Sequence, residues 1–171
     1  MNTPQAILNA LFCAVTPRTA GFNTTDIASL SQSSQLLTII LMFIGGCPGS
    51  TAGGAKVTTI TVLILYLRSM LTRTDGVNIF KRRLEDEAVS KAAAVFTTHM
   101  LLAVAATFLI SMQQDLDLTV IVFDVVSAVS TVGMSTGITP HLVPGAKVIL
   151  ILLMYLGRVG SLSFAMSFTD K

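Results

Sequence analysis

The apolar residues of this chain fall in blocks separated by polar, glycine-bearing turns. Residues 3–15 (TPQAILNALFCAV) predict a short helix, with Asn2 or Thr3 as its cap and Pro4 in its first turn. That length falls short of the roughly 20 residues a bilayer span needs, and it suits a re-entrant helix. Pro17 ends it, and a polar turn, TPRTAGFNT, follows over residues 16–24. The serine-rich stretch 26–35 is expected at a membrane surface. Residues 36–44 and 57–67 are strongly apolar, and between them runs GGCPGSTAGGAK over 45–56. Glycines this dense, with a proline among them, cannot sustain a regular helix. Residues 36–70 therefore read as one long transmembrane element broken in its middle. Such a break at membrane depth is tolerated where it lines a cavity or packs within protein.

A charged connection occupies 72–91 (TRTDGVNIFKRRLEDEAVSK), and its runs Lys81-Arg82-Arg83 and Glu85-Asp86-Glu87 are expected on a solvated helix face. A docking patch for a cytoplasmic partner is the other reading of those runs. Residues 92–112 form the cleanest transmembrane helix. Its ionisable residue, His99, reads as a neutral, hydrogen-bonded side chain at a helix interface, with a functional role as the alternative. Residues 117–129 predict a second short apolar helix, and the turn STVGMSTG follows over 130–137. Pro140 and Pro144 bracket a break, after which 147–168 crosses back and carries Arg158 well inside it.

Composition sharpens this pattern. The 171 residues are 52% hydrophobic and 12% charged, against about 25% charged in an average soluble domain; mean hydropathy is +0.75. Six of the eleven Lys and Arg residues (Arg68, Arg73, Lys81, Arg82, Arg83, Lys91) cluster in or beside the charged connection. That clustering marks the connection as cytoplasmic and argues against a nucleic-acid partner. Cys13 and Cys47 are too few for a disulfide framework. No nucleophile, base and orienting group come together as a set, so an enzyme is not expected.

The two glycine turns repeat in register. Gly133 lies 112 residues after Gly21 (133 − 21), and the same offset relates Thr19 to Thr131, Thr24 to Thr136 and Gly45 to Gly157. Upstream, one inserted residue brings Phe12 onto Phe123. The unit is short helix, glycine turn, long helix, used twice. The first copy lacks the leading helix that 92–112 provides for the second, so the chain is expected to start inside a repeat. With the basic loop cytoplasmic, each short helix enters from outside. Its C-terminal end, carrying partial negative charge, then points toward the membrane centre and favours a dehydrated cation. Backbone carbonyls in the turns can replace the ion's water shell.

On TPRTAGFNT, FIGGCPGSTAGG over 43–54 and TVGMS over 131–135, the chain resembles the Trk/Ktr/HKT potassium-transporter superfamily, closest to its Ktr-type membrane subunit. The resemblance covers nearly the whole chain. It implies an all-α membrane protein of repeated helix–pore loop–helix units around a pseudo-fourfold, potassium-channel-like pore. Two units fall here: an incomplete third repeat over 1–71, the cytoplasmic linker 72–91, and a complete fourth repeat over 92–171. The implied function is K+ uptake across the plasma membrane by a multi-pass pore-forming subunit, of which this chain is the C-terminal half. Carried over, the selectivity filter comprises Thr19, Ala20, Gly21, Thr131, Val132 and Gly133, with K+ at their backbone carbonyls. Gly45, Gly46, Gly49, Gly53 and Gly54 belong to an intramembrane gating loop, and Arg158 faces the pore beside it. The resemblance also implies a homodimer and a cytoplasmic, nucleotide-binding regulatory subunit of the KtrA/TrkA-like kind. No cofactor is implied for the chain itself, and Na+ stays open as a coupling or activating ion. Cys47 in the loop and Met134 after the filter glycine depart slightly from the family pattern. GSTAGGAK is not a phosphate loop, because Ala55 stands where its lysine should be. The rival readings are a different broken-helix secondary transporter and a non-conducting accessory membrane subunit.

Overall fold

The computed structural model describes residues 3–47, 53–72, 78–79, 82–84 and 86–159. Its described elements are helices α1 (Thr3–Val15), α2 (Gln32–Phe43), α3 (Val57–Thr72), α4 (Asp86–Ser111), α5 (Leu118–Val129) and α6 (Pro144–Val159), with a two-residue ladder of β1 (Asn78–Ile79) and β2 (Arg82–Arg83) between α3 and α4. Short 3-10 turns precede α2 and α6, at Ile27–Ser29 and Thr139–His141. The architecture is therefore helical apart from that one ladder.

Several boundaries follow local chemistry rather than the edges of the apolar blocks. α2 starts four residues ahead of its apolar run because Ser31 caps it, its hydroxyl accepting from the Ser34 amide at 3.3 Å. α6 starts at Pro144, whose fixed φ and missing amide suit a first helical position. α4 begins at Asp86 instead of residue 92, so part of the charged connection is helix. Acidic residues at a helix N-terminus are favourable, and Lys91 reaches back to Glu87 at 2.7 Å. The expectation that Lys81-Arg82-Arg83 lies on a solvated helix face is corrected here for Arg82 and Arg83, while Lys81 and Glu85 lie outside the described residues. Arg82 and Arg83 pair antiparallel with Ile79 and Asn78, and the β-favouring run NIF ahead of them has no helical period.

The most buried helix is α5. It packs against α2, α4 and α6, and Ile121, Phe123, Asp124 and every residue from 125 to 129 are buried. Such a short helix is held mainly by this packing. Its entry is capped by Asp117, whose carboxylate accepts from the Thr119 amide at 3.1 Å. On α4, Ala103, Ala106 and Ile110 recur at helical spacing and form one stripe. That stripe meets Ile121, Val125 and Val129 of α5 and Ala146, Leu150 and Leu153 of α6. A smaller cluster gathers Ile27, Met42, Phe123, Val126, Val132 and Met134 beneath the turns. Phe43 and Phe96 meet edge to face at 5.6 Å and join α2 to α4.

The outer faces are as apolar as the core. Leu8 and Leu11 of α1, Leu67 and Leu71 of α3, Leu101 and Phe108 of α4, and Ile151 and Tyr155 of α6 are all exposed. Apolar surface on this scale is foreign to a water-soluble monomer. Threonines on these helices return their hydroxyls to the preceding turn, as Thr61 to Val57 O, Thr98 to Ala94 O and Thr107 to Ala103 O do, so these three hydroxyls do not face an apolar medium without a bond. His99 is buried in α4 with Nδ1 2.8 Å from Val95 O. Among the described residues, one helix is long and apolar enough to cross a membrane, over Glu87–Ser111. Of the stretch 147–168 expected to cross back, the residues up to Val159 lie in helix α6, and the remainder lies outside the described residues.

Candidate functional site

The site is built where α1 and α5 end. At the end of α1, the amides of Ala20 and Gly21 both turn back to Thr16 O, at 3.1 and 3.4 Å. Thr16 is itself buried and donates its hydroxyl to Phe22 O at 2.9 Å. At the end of α5, the Thr131 amide bonds Ala128 O at 3.1 Å and the Val132 amide bonds Ser127 O at 2.9 Å. Each turn so formed contains a threonine and a glycine at positive φ: Thr19 at 67° and Gly21 at 75°, Thr131 at 55° and Gly133 at 89°. A threonine in this region is strained, since its branched Cβ crowds the backbone. Its presence at the same offset in both turns makes the backbone shape the common feature.

The register continues downstream of the turns. The 3-10 turns start at Ile27 and Thr139, and the long helices start at Gln32 and Pro144. In both copies the residue closing the 3-10 turn returns its amide three residues, Leu30 to Ile27 O at 3.2 Å and Leu142 to Thr139 O at 3.4 Å. The copies diverge after the long helix has run for three turns. α2 stops at Phe43, while α6 continues through Gly157 and Arg158.

The two turns touch. A Cβ at Gly21 would strike the Val132 carbonyl oxygen and lie 3.6 Å from the Gly133 Cα, whereas a Cβ at Gly133 would meet nothing within 4 Å. Gly21 is therefore required twice over, by its φ and by its neighbour, and Gly133 by its φ alone. Among the described residues, no protein group donates a hydrogen bond to the carbonyls of Thr19, Ala20, Gly21, Thr131, Val132 or Gly133. Six backbone acceptors at two adjoining helix C-termini thus receive no donor from the described residues.

The broken segment is fastened to these turns. Its entry, Gly45 at φ 56°, lies against its exit, where an added Cβ would come within 2.6 Å of Ala55 O. The Val57 amide closes the neck by bonding Gly46 O at 3.2 Å. Arg18, from the first turn, donates to Gly45 O at 3.3 Å. Thr131, from the second turn, accepts from the Gly53 amide at 2.9 Å. Gly53 would meet Gly157 O and the Thr131 side chain at 2.6 Å if it carried a Cβ, and Gly54, at φ 77°, would come within 3.1 Å of the Ser130 Cα. These glycines let the chain lie backbone to backbone on the end of α5. Gly49 and the rest of 48–52 lie outside the described residues. Arg158 borders a cavity of about 420 Å³ that Ser127, Thr131, Gly133 and Asp124 also line.

Asp124 and Arg18 escape a reading by hydropathy and spacing. Asp124 is 5% exposed in the middle of α5, and its carboxylate accepts from Ser135, Thr136 and Thr139. The signal is present in the sequence, because an acidic residue inside a short apolar helix is costly to bury and needs partners. Arg18 sat within a motif read for its carbonyls, and nothing in the chain order shows that its side chain spans to Gly45. Among the described residues no group of three His, Cys, Asp or Glu side chains is placed to hold a metal ion.

The family model for TrkH, a cation transport protein, matches residues 1–171. The potassium/sodium uptake protein NtpJ of Enterococcus hirae is 37% identical over 98% of this chain, which spans 38% of that protein's length. The Ktr system potassium uptake protein B of Bacillus subtilis is 38% identical over 92% of this chain and is likewise covered over 35% of its own length. Among solved structures, the potassium transporter TrkH from Vibrio parahaemolyticus superposes with a TM-score of 0.79 at 26% identity, over 99% of this chain and 39% of that one. A family match along the whole chain, with a shared fold and sequence identity to uptake proteins, leaves one assignment: the chain belongs to the TrkH family of cation transport proteins.

Proposed function

We propose that this chain supplies two turns of the selectivity filter of a potassium-uptake pore, in a multi-pass subunit of the plasma membrane. The observation that carries the reading is the pair of positive-φ turns at helix C-termini, with six carbonyls that receive no donor from the described residues. Helix C-termini concentrate partial negative charge, and carbonyls in such turns can stand in for the water around K+. Thr19, Ala20, Gly21, Thr131, Val132 and Gly133 hold the ion through their backbones. The units are two of four helix–pore loop–helix repeats, and the remainder of the whole protein closes the ring. The shares of 38% and 35% of the relatives' lengths support that division. The apolar faces of α1 and α6 then bury against the other repeats or lipid.

The segment 45–54 acts as a gate below the filter, with Gly45, Gly46, Gly53 and Gly54 in its described part, Gly49 outside it, and Arg158 beside it. The support is its anchorage: one end is bonded to Arg18 of the first turn and the other to Thr131 of the second, so loop and filter shift together. Arg158 opposes cation entry when the loop is closed. Na+ serves as a second transported or coupling ion, a reading supported by the potassium/sodium name of the Enterococcus relative. The names of the Ktr system relatives support further components, here a second copy of the subunit and a cytoplasmic nucleotide-binding regulator. Relatives named as uptake proteins weigh against a purely accessory subunit.

The test is growth at low K+ of cells that lack their own uptake systems, expressing the full-length protein. Rescue by the intact protein and none by Gly21→Ser or Gly133→Ser, at equal membrane levels, is expected. Rescue by both glycine variants with an unchanged preference for K+ would defeat the proposal.

A further inference from the structure

Behind the second turn lies a polar cluster that has no equivalent behind the first. Asp124 Oδ1 accepts from the Thr136 amide at 3.0 Å and its hydroxyl at 3.1 Å. Oδ2 accepts from the hydroxyls of Ser135 and Thr139, both at 3.0 Å. Ser135 and Thr139 also meet each other at 3.0 Å, and the Gly137 amide donates to Ser135 Oγ at 3.0 Å. One carboxylate on α5 thereby holds the whole chain segment that leaves Gly133, up to the 3-10 turn before α6. In the first copy, the residue in register on the short helix is Cys13, which makes one contact with the Thr25 hydroxyl at 3.4 Å. The residue in register with Thr139 is the buried, apolar Ile27. The first turn is fastened by Thr16 to Phe22 O instead.

We infer that Asp124 is a positioning residue for ion selection, clamping residues 135–139 so that the turn at Gly133 keeps one backbone shape. The inference rests on the reading of that turn as part of a filter. A carbonyl ring discriminates between K+ and Na+ only if its oxygens are held against collapse onto the smaller ion or are kept at a fixed number and orientation. Gly133 has no side chain, and the position a Cβ would take there has nothing within 4 Å, so no side-chain contact fixes its φ. Its confinement must then come from the chain on either side: the Val132 amide bond to Ser127 O upstream, and the Asp124 clamp downstream. Bonds to a carboxylate are stronger than those between neutral groups, which suits a brace on a mobile turn. The side chain sits at the wall of the same cavity as Thr131 and Arg158, within reach of the ion path but behind the backbone that lines it.

The experiment measures K+ and Na+ uptake by the full-length protein in uptake-deficient cells, at matched membrane levels. Asp124→Ala should lower the K+ to Na+ uptake ratio by about fivefold or more, the scale set by losing a charge-assisted hydrogen bond. Asp124→Asn, whose single oxygen can still serve Thr136, should fall between Asp124→Ala and the parent. The double variant Ser135→Ala/Thr139→Val keeps the carboxylate, removes both donors to Oδ2, and should lower the ratio in the same direction. An Asp124 with only a structural role would instead reduce uptake of both ions in proportion, with the ratio unchanged, and that result overturns the inference. Should Asp124→Ala fail to reach the membrane, the double variant decides, and an unchanged ratio in it rejects the clamp. Gly133→Ser separates the two levels. If it keeps the parent ratio, the filter reading itself fails. If it loses the ratio while the Asp124 and Ser135/Thr139 variants keep it, only the positioning role falls.

Discussion

Replacing a turn glycine by alanine has an outcome that the local geometry makes different at Gly21 from that at Gly133 and Gly137. Gly133 and Gly137 stand at φ 89° and 92° with nothing within 4 Å of where a Cβ would go. Alanine there bears only the strain of the left-handed region, about 1–2 kcal/mol, or roughly five- to thirtyfold in a folded-to-unfolded ratio. Gly21 bears the same strain at φ 75°, and in addition its Cβ would drive into the Val132 carbonyl oxygen. That oxygen belongs to backbone, which cannot swing aside as a side-chain end can, and it is one of the six proposed ion ligands. Gly21→Ala should therefore disturb both turns at once. Thermal unfolding of the detergent-purified, full-length protein should rank Gly133→Ala and Gly137→Ala together and Gly21→Ala below both. K+ uptake should also fall furthest at Gly21, with Gly21→Ala retaining less than about a tenth of the parent rate, and Gly133→Ala reduced but measurable. The reasoning is refuted if Gly21→Ala is no less stable than Gly137→Ala, or if it transports K+ as well as Gly133→Ala does.

Three further outcomes follow from the anchors around the site. Thr131→Val removes the acceptor for the Gly53 amide while keeping the side chain's shape; it should loosen the broken segment and raise basal K+ flux several-fold, the scale of one hydrogen bond, read as efflux from loaded proteoliposomes. Arg158→Gln should likewise raise flux through the closed state, and identical efflux from both proteins would remove Arg158 from the gate. Asp117→Ala deletes the cap of α5 and should destabilise the protein by about 1 kcal/mol in thermal unfolding, with the K+ to Na+ ratio unchanged because the cap lies at the far end of the helix from Gly133.

Much of this was legible in the chain itself, for identifiable reasons. The short helices, the turns and the break announced themselves through proline, glycine and the abrupt change from apolar to polar residues, signals that depend on backbone chemistry alone. α1 matches its expected span residue for residue, and α5 differs by one. Helix starts were harder, because Ser31, Asp86 and Pro144 set them through capping and dipole effects that ignore hydropathy. The ladder at Asn78–Ile79 and Arg82–Arg83 was hidden because charged residues there read equally well as a solvated helix. At the site, the equivalence of Gly21 and Gly133 could be read from spacing. Their contact with each other, and the reach of Arg18 to Gly45, could not. Those depend on how α1 and α5 meet across 112 residues of chain (133 − 21), which no local pattern encodes. Asp124 marks the general case: its oddity is visible in the sequence, but the four hydrogen bonds it accepts come from three hydroxyls and one backbone amide of Ser135, Thr136 and Thr139, which look unremarkable there.

The central claim is that the carbonyls of the Gly21 and Gly133 turns face a bound K+. An experimental structure of the full-length protein in Rb+ or Tl+, heavier ions of similar size, locates such a site through anomalous scattering. The account predicts a peak coordinated by backbone oxygens of Thr19, Ala20 or Gly21 together with those of Thr131, Val132 or Gly133, and lost when Na+ alone is present. Ordered ions found only elsewhere in the protein, with those six carbonyls bonded to protein groups, would contradict it.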